Sequence, residues 1–214
     1  MRKISSFFSI ITNLQVENKI LIFYDIILFK SGDDMELIFE KVLERDIDLL
    51  MINKFITDDN ILNLFLEKIG KSDYKVFSIQ HSLMDQEDGE SDITVIAEKD
   101  NHKIGLLIED KIDAIAMPNQ RERYNARGRK GIDNSQYDEF FVFMIAPSDY
   151  LKSNVEAQLY EIQISYEELK GYFKNDQYAI ALIDKALEEK KNGYTIIENP
   201  NVTLFWEQYY TLIR

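Results

Sequence analysis

The sequence predicts an α/β protein in which a central mixed β-sheet of about four strands is flanked by α-helices. Apolar residues recur at helical spacing near both ends of the chain, whereas short β-like runs occupy its middle. The chain has 214 residues, of which 45% are hydrophobic, so a single domain with a sizeable core is expected. Within it we expect an N-terminal helical part over 1–73, the sheet over 74–147 and C-terminal helices over 148–214.

Two helices are predicted before the sheet. The first begins at Met35, because apolar residues recur from there at helical spacing; they are Met35, Ile38, Phe39, Val42 and Leu43. The second begins near Asp58 and Asp59, whose side-chain oxygens can cap a helix, and its apolar stripe extends from Ile61 to Ile69. Gly70 is a natural C-terminal stop for that second helix.

The middle of the chain supplies the predicted strands. Three short β-like runs are separated by polar connections, and they cover 74–80, 92–98 and 103–109. The last two runs are joined by the polar residues 99–102, so we expect them to form a hairpin. A continuous apolar run over 140–146 suits a fourth, buried strand.

Further helices are predicted between and after the strands. The polar segment 119–129 follows Pro118 and is expected to be helical. Ser165 with Glu168 is typical of a capping box, which predicts a helix over 165–173. Two more helices are expected over 177–191 and 202–212. The many aromatic residues of this last third are expected to pack in the core, and stacking on bases or a dimer face are the open alternatives.

The composition limits the kinds of site and location that are possible. The chain contains no cysteine, which excludes disulfides and thiolate metal sites. It contains only two histidines, so oxygen ligands and a hard cation are favoured. The apolar patch around 7–11 lacks the sustained core and cleavage site of a signal peptide. The longest apolar run, 20–29, is interrupted by Asp25 and is too short to cross a bilayer. We therefore expect a cytoplasmic protein without a membrane partner.

The net charge of −13 opposes binding to nucleic acid, because such binding relies on lysine and arginine. One segment, 121–130, is an exception, since it contains four arginines and a lysine. Closely spaced arginines suit phosphate recognition, so Arg121, Arg123 and Arg127 are candidate contacts to nucleic acid. The alternative is that these arginines pair with carboxylates of the protein itself.

Charged residues stand at the adjacent ends of the two hairpin strands. Asp92 begins one strand and Glu109 ends its antiparallel neighbour, so the hairpin brings both carboxylates to one edge of the sheet. Because side chains alternate along a strand, Glu109 and Lys111 project to one side and Asp110 to the other. Such a group suits a divalent cation and phosphodiester hydrolysis. The alternative is a turn aspartate beside a solvated Glu–Lys pair.

This arrangement resembles the PD-(D/E)XK nuclease superfamily, in particular its branch with a Q-x-x-x-Y motif. The matching segments are 89–93, 108–112 and 120–124, and Ser91 stands where the eponymous proline of the family lies. The resemblance covers about a quarter of the chain well and implies a restriction-endonuclease-like core. It also implies that Asp92 and Glu109 hold Mg²⁺ or Mn²⁺, that the carbonyl of Asp110 is a further ligand, and that Lys111 is the catalytic lysine.

The resemblance extends to the helix after the strand. Gln120 and Tyr124 would lie one turn apart on one helical face and would reach back toward the site or the substrate phosphate. The alternative roles are a capping amide and a tyrosine at the edge of the core. Gln120 lies just before the basic segment and Tyr124 lies within it. The same helix is therefore expected to contact the nucleic acid.

Members of the family often place an acidic residue of the first core helix near the metal. The segment 44–50 is the candidate here, and Glu44 is its first choice as a ligand. Glu44 and Asp48 would share a helical face, whereas Asp46 continues the apolar stripe that begins at Met35. Either arrangement could supply a ligand, and the alternative is a solvated acidic face.

The sequence therefore predicts a nuclease that hydrolyses phosphodiester bonds in DNA, or else RNA, with Mg²⁺ or Mn²⁺. A second hypothesis is a catalytically silent protein with the nuclease fold, which acts as a binding or regulatory protein through a protein partner. The net charge favours this second hypothesis, and the intact set of Asp92, Glu109 and Lys111 opposes it. A homodimer, or a subunit that binds DNA with the help of a partner, is also compatible with the sequence.

Overall fold

The structure is a computed structural model, and it describes residues 21–23, 26–31, 34–85, 89–114, 119–174 and 176–192. Its helices are α1 (Glu44–Thr57), α2 (Asp59–Lys68), α3 (Gln120–Asp133), α4 (Ser148–Ser153), α5 (Tyr166–Tyr172) and α6 (Gln177–Asn192). A 3₁₀ turn covers Ala157–Leu159. Within these ranges, none of the helices has the length and apolar character that crossing a bilayer requires. The helix expected over 202–212 lies outside the described residues.

The strands form two sheets. The first is antiparallel and contains β1 (Leu21–Phe23), β2 (Ile26–Ser31) and β3 (Asp34–Phe39). The second is mixed and contains β4 (Lys75–Asp85), β5 (Gly89–Lys99), β6 (His102–Asp110), β7 (Glu139–Ala146) and β8 (Ile162–Ser165). The order in the second sheet follows the sequence; β4 to β6 are antiparallel, and β7 and β8 continue in parallel to β6. The chain is thus an α/β protein with a five-stranded mixed sheet flanked by helices.

The prediction of a helix that begins at Met35 is wrong, because residues 34–39 form strand β3. The N-terminal part up to residue 73 is therefore not entirely helical. Leu37 and Phe39, two positions apart, both pack against the core, as alternating residues of a strand do. Periodicity alone cannot distinguish a short apolar run in a helix from one in a strand, and here pairing with the apolar strand β2 decides the outcome. The helix begins later, at Glu44.

The second predicted helix is confirmed as α2. The side chain of Asp58 accepts a hydrogen bond from the backbone N–H of Asn60 at 3.0 Å, which caps the first turn. Gly70 follows the helix with a φ of 65°, a left-handed conformation that glycine adopts without strain. Local cap and stop signals were sufficient to place this helix.

The β5–β6 hairpin is also confirmed, and its turn explains why the sequence specifies it. The turn residues Asp100 and Asn101 have φ values of 52° and 63°, between the paired residues Lys99 and His102. A two-residue turn with positive φ at both positions matches the twist of the strands, and Asp and Asn tolerate it well. The turn therefore fixes the register of the hairpin.

That register determines which side chains share a face of the sheet. Ile93 lies opposite Ile108, so Asp92 and Glu109 follow at the next pair of positions toward the open end of the hairpin. Ile93 and Ile108 face the main core beneath α1, α2 and α6, and by alternation Asp92 and Glu109 face the opposite side. Helix α3 covers that side, where Tyr124 packs against apolar residues of β5 and β6.

The estimate of about four strands in the sheet is corrected to five by β8. This strand has only four residues, and two of them, Gln163 and Ser165, are polar. It was not predicted because its apolar signal is short, whereas its pairing partner β7 has a strong one. Parallel pairing of β7 with β6 requires a crossover connection, which α3 supplies.

Helix α3 lies very close to the sheet because glycines face it. An added Cβ atom at Gly128 would overlap the ring of Phe140 on β7, and one at Gly131 would overlap the side chain of Tyr137. Both glycines are buried within α3. The absence of a side chain at these two positions lets the helix approach the strands, and this approach brings its first residues to the end of β6.

We expect Gly128→Ala to destabilise the fold by about 1–2 kcal/mol, because overpacking against Phe140 outweighs the gain in helix propensity. The matched control is Gly171→Ala in α5, where an added Cβ meets nothing within 4 Å. That variant should be stabilised by about 0.5–1 kcal/mol. Urea denaturation of the two variants measures both effects, and equal stabilities would contradict the proposed close packing of α3.

Candidate active site

Asp92 and Glu109 lie at neighbouring strand ends that Tyr124 of α3 ties together. The backbone N–H of Asp92 donates to the Tyr124 hydroxyl at 3.1 Å, and that hydroxyl is 3.3 Å from the carbonyl oxygen of Ile108, to which it donates. The carboxylate of Asp92 accepts a hydrogen bond from the backbone N–H of Asp110 at 3.0 Å. Tyr124 is fully buried, so the bridge between β5 and β6 is shielded from water.

Glu109 is a charged residue inside the protein, since its exposure is only 1%. The ammonium group of Lys111 lies 2.5 Å from its Oε1 atom, and the side-chain amide of Gln120 donates to the same oxygen. A buried carboxylate is tolerated when it is paired and hydrogen-bonded, and here both conditions are met. Because Gln120 is the first residue of α3, the position of this helix also sets the orientation of Glu109.

Lys111 is held from three directions. Its backbone N–H donates to the carbonyl of Ile145 on β7 at 3.0 Å, and its ammonium group donates to the carbonyl of Asp110 at 2.9 Å. The ammonium group also lies 3.4 Å from the carboxylate of Glu44. Burial alone would lower the pKa of Lys111, but the nearby carboxylates of Glu109 and Glu44 outweigh it and raise this pKa. The lysine is therefore a fixed positive charge.

Glu44 belongs to the site, as its place on the first core helix suggested. It is the first residue of α1, and its Oε1 atom accepts a hydrogen bond from the backbone N–H of Ile112 at 3.0 Å. Its other oxygen contacts Lys111, so it fastens the segment after β6 to α1. Asp46 has a different role, because its carboxylate accepts from the backbone N–H of Leu43 at 2.8 Å and caps the helix.

The side chain of Asp110 points to the other side of the sheet, as alternation along the strand predicts. It is completely buried, and one of its oxygens accepts a hydrogen bond from the Tyr166 hydroxyl at 2.6 Å. Burial, and next the charge of Asp48, raise the pKa of Asp110 well above its usual value. Tyr166 was expected only as a core residue; nothing in the sequence indicates which hydroxyl meets a carboxylate from a distant strand.

Asp48 and His81 form a pair on that same side which the sequence did not reveal. Asp48 is buried in α1, and its Oδ2 atom lies 3.4 Å from Nε2 of His81 on β4. Burial raises the pKa of Asp48 to about 6, although the hydrogen bond with His81 acts in the opposite direction. In the sequence, the position of Asp48 one helical turn after Glu44 indicates that Asp48 could lie near the site. No pattern in the sequence singles out His81.

Burial and the charge of Glu109 raise the pKa of the Asp92 carboxyl to about 8. The charge of Lys111 lowers this pKa, but not enough to compensate. Because the folded-state pKa lies above the ordinary value of 3.8, ionisation of Asp92 opposes folding as the pH rises from about 4 to about 8. The two carboxylates therefore form an electrostatically unfavourable pair that a bound cation would relieve.

The donor chemistry fits a hard divalent cation. Asp92 and Glu109 supply carboxylate oxygens, and Asp110 supplies a carbonyl oxygen, which are the ligands that Mg²⁺ and Mn²⁺ prefer. Across the described ranges, no group of three or more histidine, cysteine, aspartate or glutamate side chains is arranged to hold a metal ion. Mg²⁺ needs no such group, since it keeps several waters and uses one or two carboxylates. Lys111 contacts two of the three donors, so a cation would share them with it.

The candidate substrate-binding arginines take different positions on α3. Arg121 pairs with the exposed carboxylate of Glu161 at 2.6 Å, which is the alternative that the sequence left open for it. The guanidinium of Arg127 stacks over the ring of Tyr124, 4.0 Å from its centre. Arg123 is half-buried on the same helix. Contact of these residues with nucleic acid stays a prediction.

The raised pKa of Asp92 generates a prediction about stability. In the absence of divalent cations, Asp92→Asn should be more stable than the wild type at pH 8, by about 1–3 kcal/mol, because it removes a buried charge. The difference should shrink as the pH falls toward 4, because the wild-type carboxyl is then protonated in the folded state and about half protonated in the unfolded state. Urea denaturation in EDTA at the two pH values measures this. The control is Asp184→Asn, which alters an exposed ion pair with Lys170 and should change little.

Comparison with protein-family models, with curated proteins and with solved structures finds no match for this chain. A function must therefore be inferred from the site itself. The structure brings together Asp92, Glu109, Lys111, Gln120 and Tyr124, with Glu44 and the carbonyl of Asp110 beside them. Two of the candidate arginines already have partners within the protein, since Arg127 stacks on Tyr124 and Arg121 pairs with Glu161.

Proposed function

We propose that this chain is a metal-dependent nuclease with a restriction-endonuclease-like core, which hydrolyses phosphodiester bonds in nucleic acid, with DNA as the expected substrate. One observation carries the proposal: the residues of three separate motifs meet through direct contacts at one end of the hairpin. Glu109 contacts both Lys111 and Gln120, and Tyr124 binds the backbone of Asp92. A solvated Glu–Lys pair on a strand edge would not be buried in this way.

Asp92, Glu109 and the carbonyl of Asp110 are the groups that would hold Mg²⁺ or Mn²⁺. A divalent cation bound by such ligands polarises a phosphoryl oxygen and lowers the pKa of a bound water. The protein contributes the fixed positions of the ligands. Tyr124 and Gln120 provide these positions, because they attach the two carboxylate-bearing strands to α3.

Lys111 would stabilise the negative charge that develops on the phosphate. Its raised pKa keeps it protonated throughout the neutral range. Its contacts to Glu109 at 2.5 Å and to the carbonyl of Asp110 at 2.9 Å are short, whereas the contact to Glu44 is 3.4 Å. A phosphate oxygen would therefore replace Glu44 as the third partner of the ammonium group, with Lys111 otherwise unmoved.

The substrate would approach along the first turn of α3. Arg121 directly follows Gln120, the residue that orients Glu109, in the first turn of α3. Its present partner Glu161 is exposed, and exposed ion pairs contribute little to stability. Exchange of Glu161 for a backbone phosphate would thus cost little and would offset the overall acidity of the protein at the point of contact.

A second candidate function is a catalytically silent binding or regulatory protein with the same fold. The observation in its favour is that Arg121 is already paired with a carboxylate of the protein, in a chain with a net charge of −13. Such a protein would act through a protein partner rather than through turnover. Absence of cleavage on plasmid and single-stranded substrates with both Mg²⁺ and Mn²⁺ would favour it over the nuclease.

Cleavage assays test the proposal directly. We expect cleavage of plasmid or single-stranded DNA to require Mg²⁺ or Mn²⁺ and to fall by about 10²–10⁴-fold in Glu109→Gln and in Lys111→Ala. The control is Lys170→Ala, which removes a lysine from an exposed ion pair far along the chain and should retain full activity. Cleavage that persists in both site variants, with both folded, would exclude this site as the catalytic one.

Binding of the cation can be measured without turnover. Saturating Mg²⁺ should raise the Tm of the wild type by about 2–6 °C, because a ligand that binds only the folded state stabilises it. The same addition should leave the Tm of Asp92→Asn and Glu109→Gln almost unchanged, while Asp184→Asn should respond as the wild type does. An equal Mg²⁺ response in all four proteins would place the cation elsewhere.

A further inference from the structure

Strand β4 forms a long edge of the mixed sheet. It has eleven residues, and no strand in the described part of the chain pairs with its outer side. The strand at the other edge, β8, has only four residues. An open edge presents a row of backbone N–H and C=O groups that can pair with another strand. Proteins commonly protect such edges with charged residues, but residues 76–82 include no aspartate, glutamate, lysine or arginine.

Helix α1 runs beside this edge. The carboxylate of Asp48 lies 3.4 Å from the ring of His81 on β4. Two residues after α1 ends, the carboxylate of Asp59 lies 3.0 Å from the ammonium group of Lys75 at the start of β4. The helix is therefore antiparallel to β4, on the side of the sheet that carries the main core. On the opposite flank of α1, Lys54 forms an ion pair beside the start of α6. The remaining flank faces the open edge.

The flank of α1 that faces the open edge is apolar. Leu49, Ile52 and Ile56 lie there at spacings of three and four residues, which places them on one helical face. Leu49 is 49% exposed and Ile56 is 69% exposed, whereas a surface helix normally presents polar residues to water. On β4, Val76 and Ile79 are half-buried and pack against the same core as Ile52. The edge of β4 and this flank of α1 together form one surface, the β4–α1 surface.

The β4–α1 surface is complementary to a second copy of itself. The acidic and basic residues of β4 stand only at its two ends, with Lys75 first and Asp85 last. If two copies of β4 pair antiparallel around Gln80, the Lys75 end of each strand lies beside the Asp85 end of the other. Opposite charges at facing positions favour this pairing. The uncharged centre avoids the repulsion that a net charge of −13 otherwise causes between two copies.

The same pairing brings the two copies of α1 together. Residues directly opposite each other in antiparallel strands project to the same side, so both helices lie on one side of the joined sheet. Adjacent strands are about 4.8 Å apart, which makes the helices that flank the two β4 strands neighbours. Their exposed apolar side chains, Leu49 and Ile56, can then pack across the two-fold axis. The β-bulge between Val76 and Ser78 lies outside the central pairs, which comprise residues 78–82.

We propose that the β4–α1 surface is a homodimer interface, in which two copies of β4 pair antiparallel and the mixed sheet continues from one copy into the other. Each copy uses its edge once, so the assembly closes as a dimer. Pairing also removes the open edge, which otherwise invites aggregation. The inference is independent of the proposed nuclease function, because no residue of the candidate active site takes part in the interface.

Analytical ultracentrifugation of the full chain tests the interface. One variant combines Leu49→Lys with Ile56→Lys, which places charges on the exposed flank of α1. A second variant, Gln80→Lys, sets two lysines directly opposite each other at the centre of the pairing. The matched control is Val155→Lys, because Val155 is 75% exposed and lies between α4 and the 3₁₀ turn, away from β4. Circular dichroism and the Tm of each protein show whether it is folded.

We expect the wild type to sediment as a dimer and the control to dimerise equally well. The Kd of the dimer should rise at least about 30-fold in the α1 variant and in Gln80→Lys, with both proteins folded. A wild type that stays monomeric up to about 100 μM would overturn the interface and leave the surface to another partner. Dimerisation that is unchanged in both folded variants would overturn it as well.

A charge exchange tests the antiparallel register. Lys75→Asp places like charges at both ends of the paired strands, so the Kd of the dimer should rise about three- to tenfold. Addition of Asp85→Lys to this variant should restore the wild-type Kd, because the facing ends then carry opposite charges again. The intramolecular partner of Lys75, Asp59, is exposed, so its loss should change the Tm little. A double variant that dimerises as weakly as Lys75→Asp would overturn this pairing of the strands.

Discussion

The antiparallel register between β5 and β6 determines where the charged groups of the site lie. Pairing of Ile93 with Ile108 places Asp92 next to Glu109, on the face that α3 covers. A slip of either strand by one residue would turn the carboxylate of that strand into the main core and separate it from the other carboxylate. The bridge from the Tyr124 hydroxyl to both strands opposes such a slip at the open end, and the two-residue turn opposes it at the other end. The catalytic proposal and the proposed cation site both depend on this pairing.

The site contains more carboxylates than the single positive charge of Lys111 can neutralise. Glu109 is satisfied by Lys111 and Gln120, but burial and Glu109 raise the pKa of Asp92 to about 8. Groups with strongly perturbed pKa values in one place are typical of functional sites, because a fold selected for stability alone would replace them. The excess of negative charge favours a cation as the natural ligand, and the Lys111 ammonium is the group that would meet a phosphate.

The sequence predicted those parts of the structure that depend on neighbouring residues. The hairpin, the cap of α2 and the alternation that separates Glu109 from Asp110 all follow from short-range rules. A helix was predicted in place of strand β3, because the spacing of its apolar residues is compatible with either a helix or a strand. The contacts between distant residues could not be predicted: Lys111 meets Glu44 only because α1 packs against the end of β6, and Arg121 meets Glu161 only because β8 joins the sheet.

The exposed turn at Asp100 and Asn101 has a practical consequence for work on this protein. It lies at the closed end of the hairpin, eight residues along β5 from Asp92, which corresponds to roughly 25 Å of strand. Exposed turns with polar residues tolerate insertions well. A fluorophore or an affinity handle can therefore be attached at this turn, where it would report on the hairpin or immobilise the protein and leave the carboxylate end of the strands open to solution.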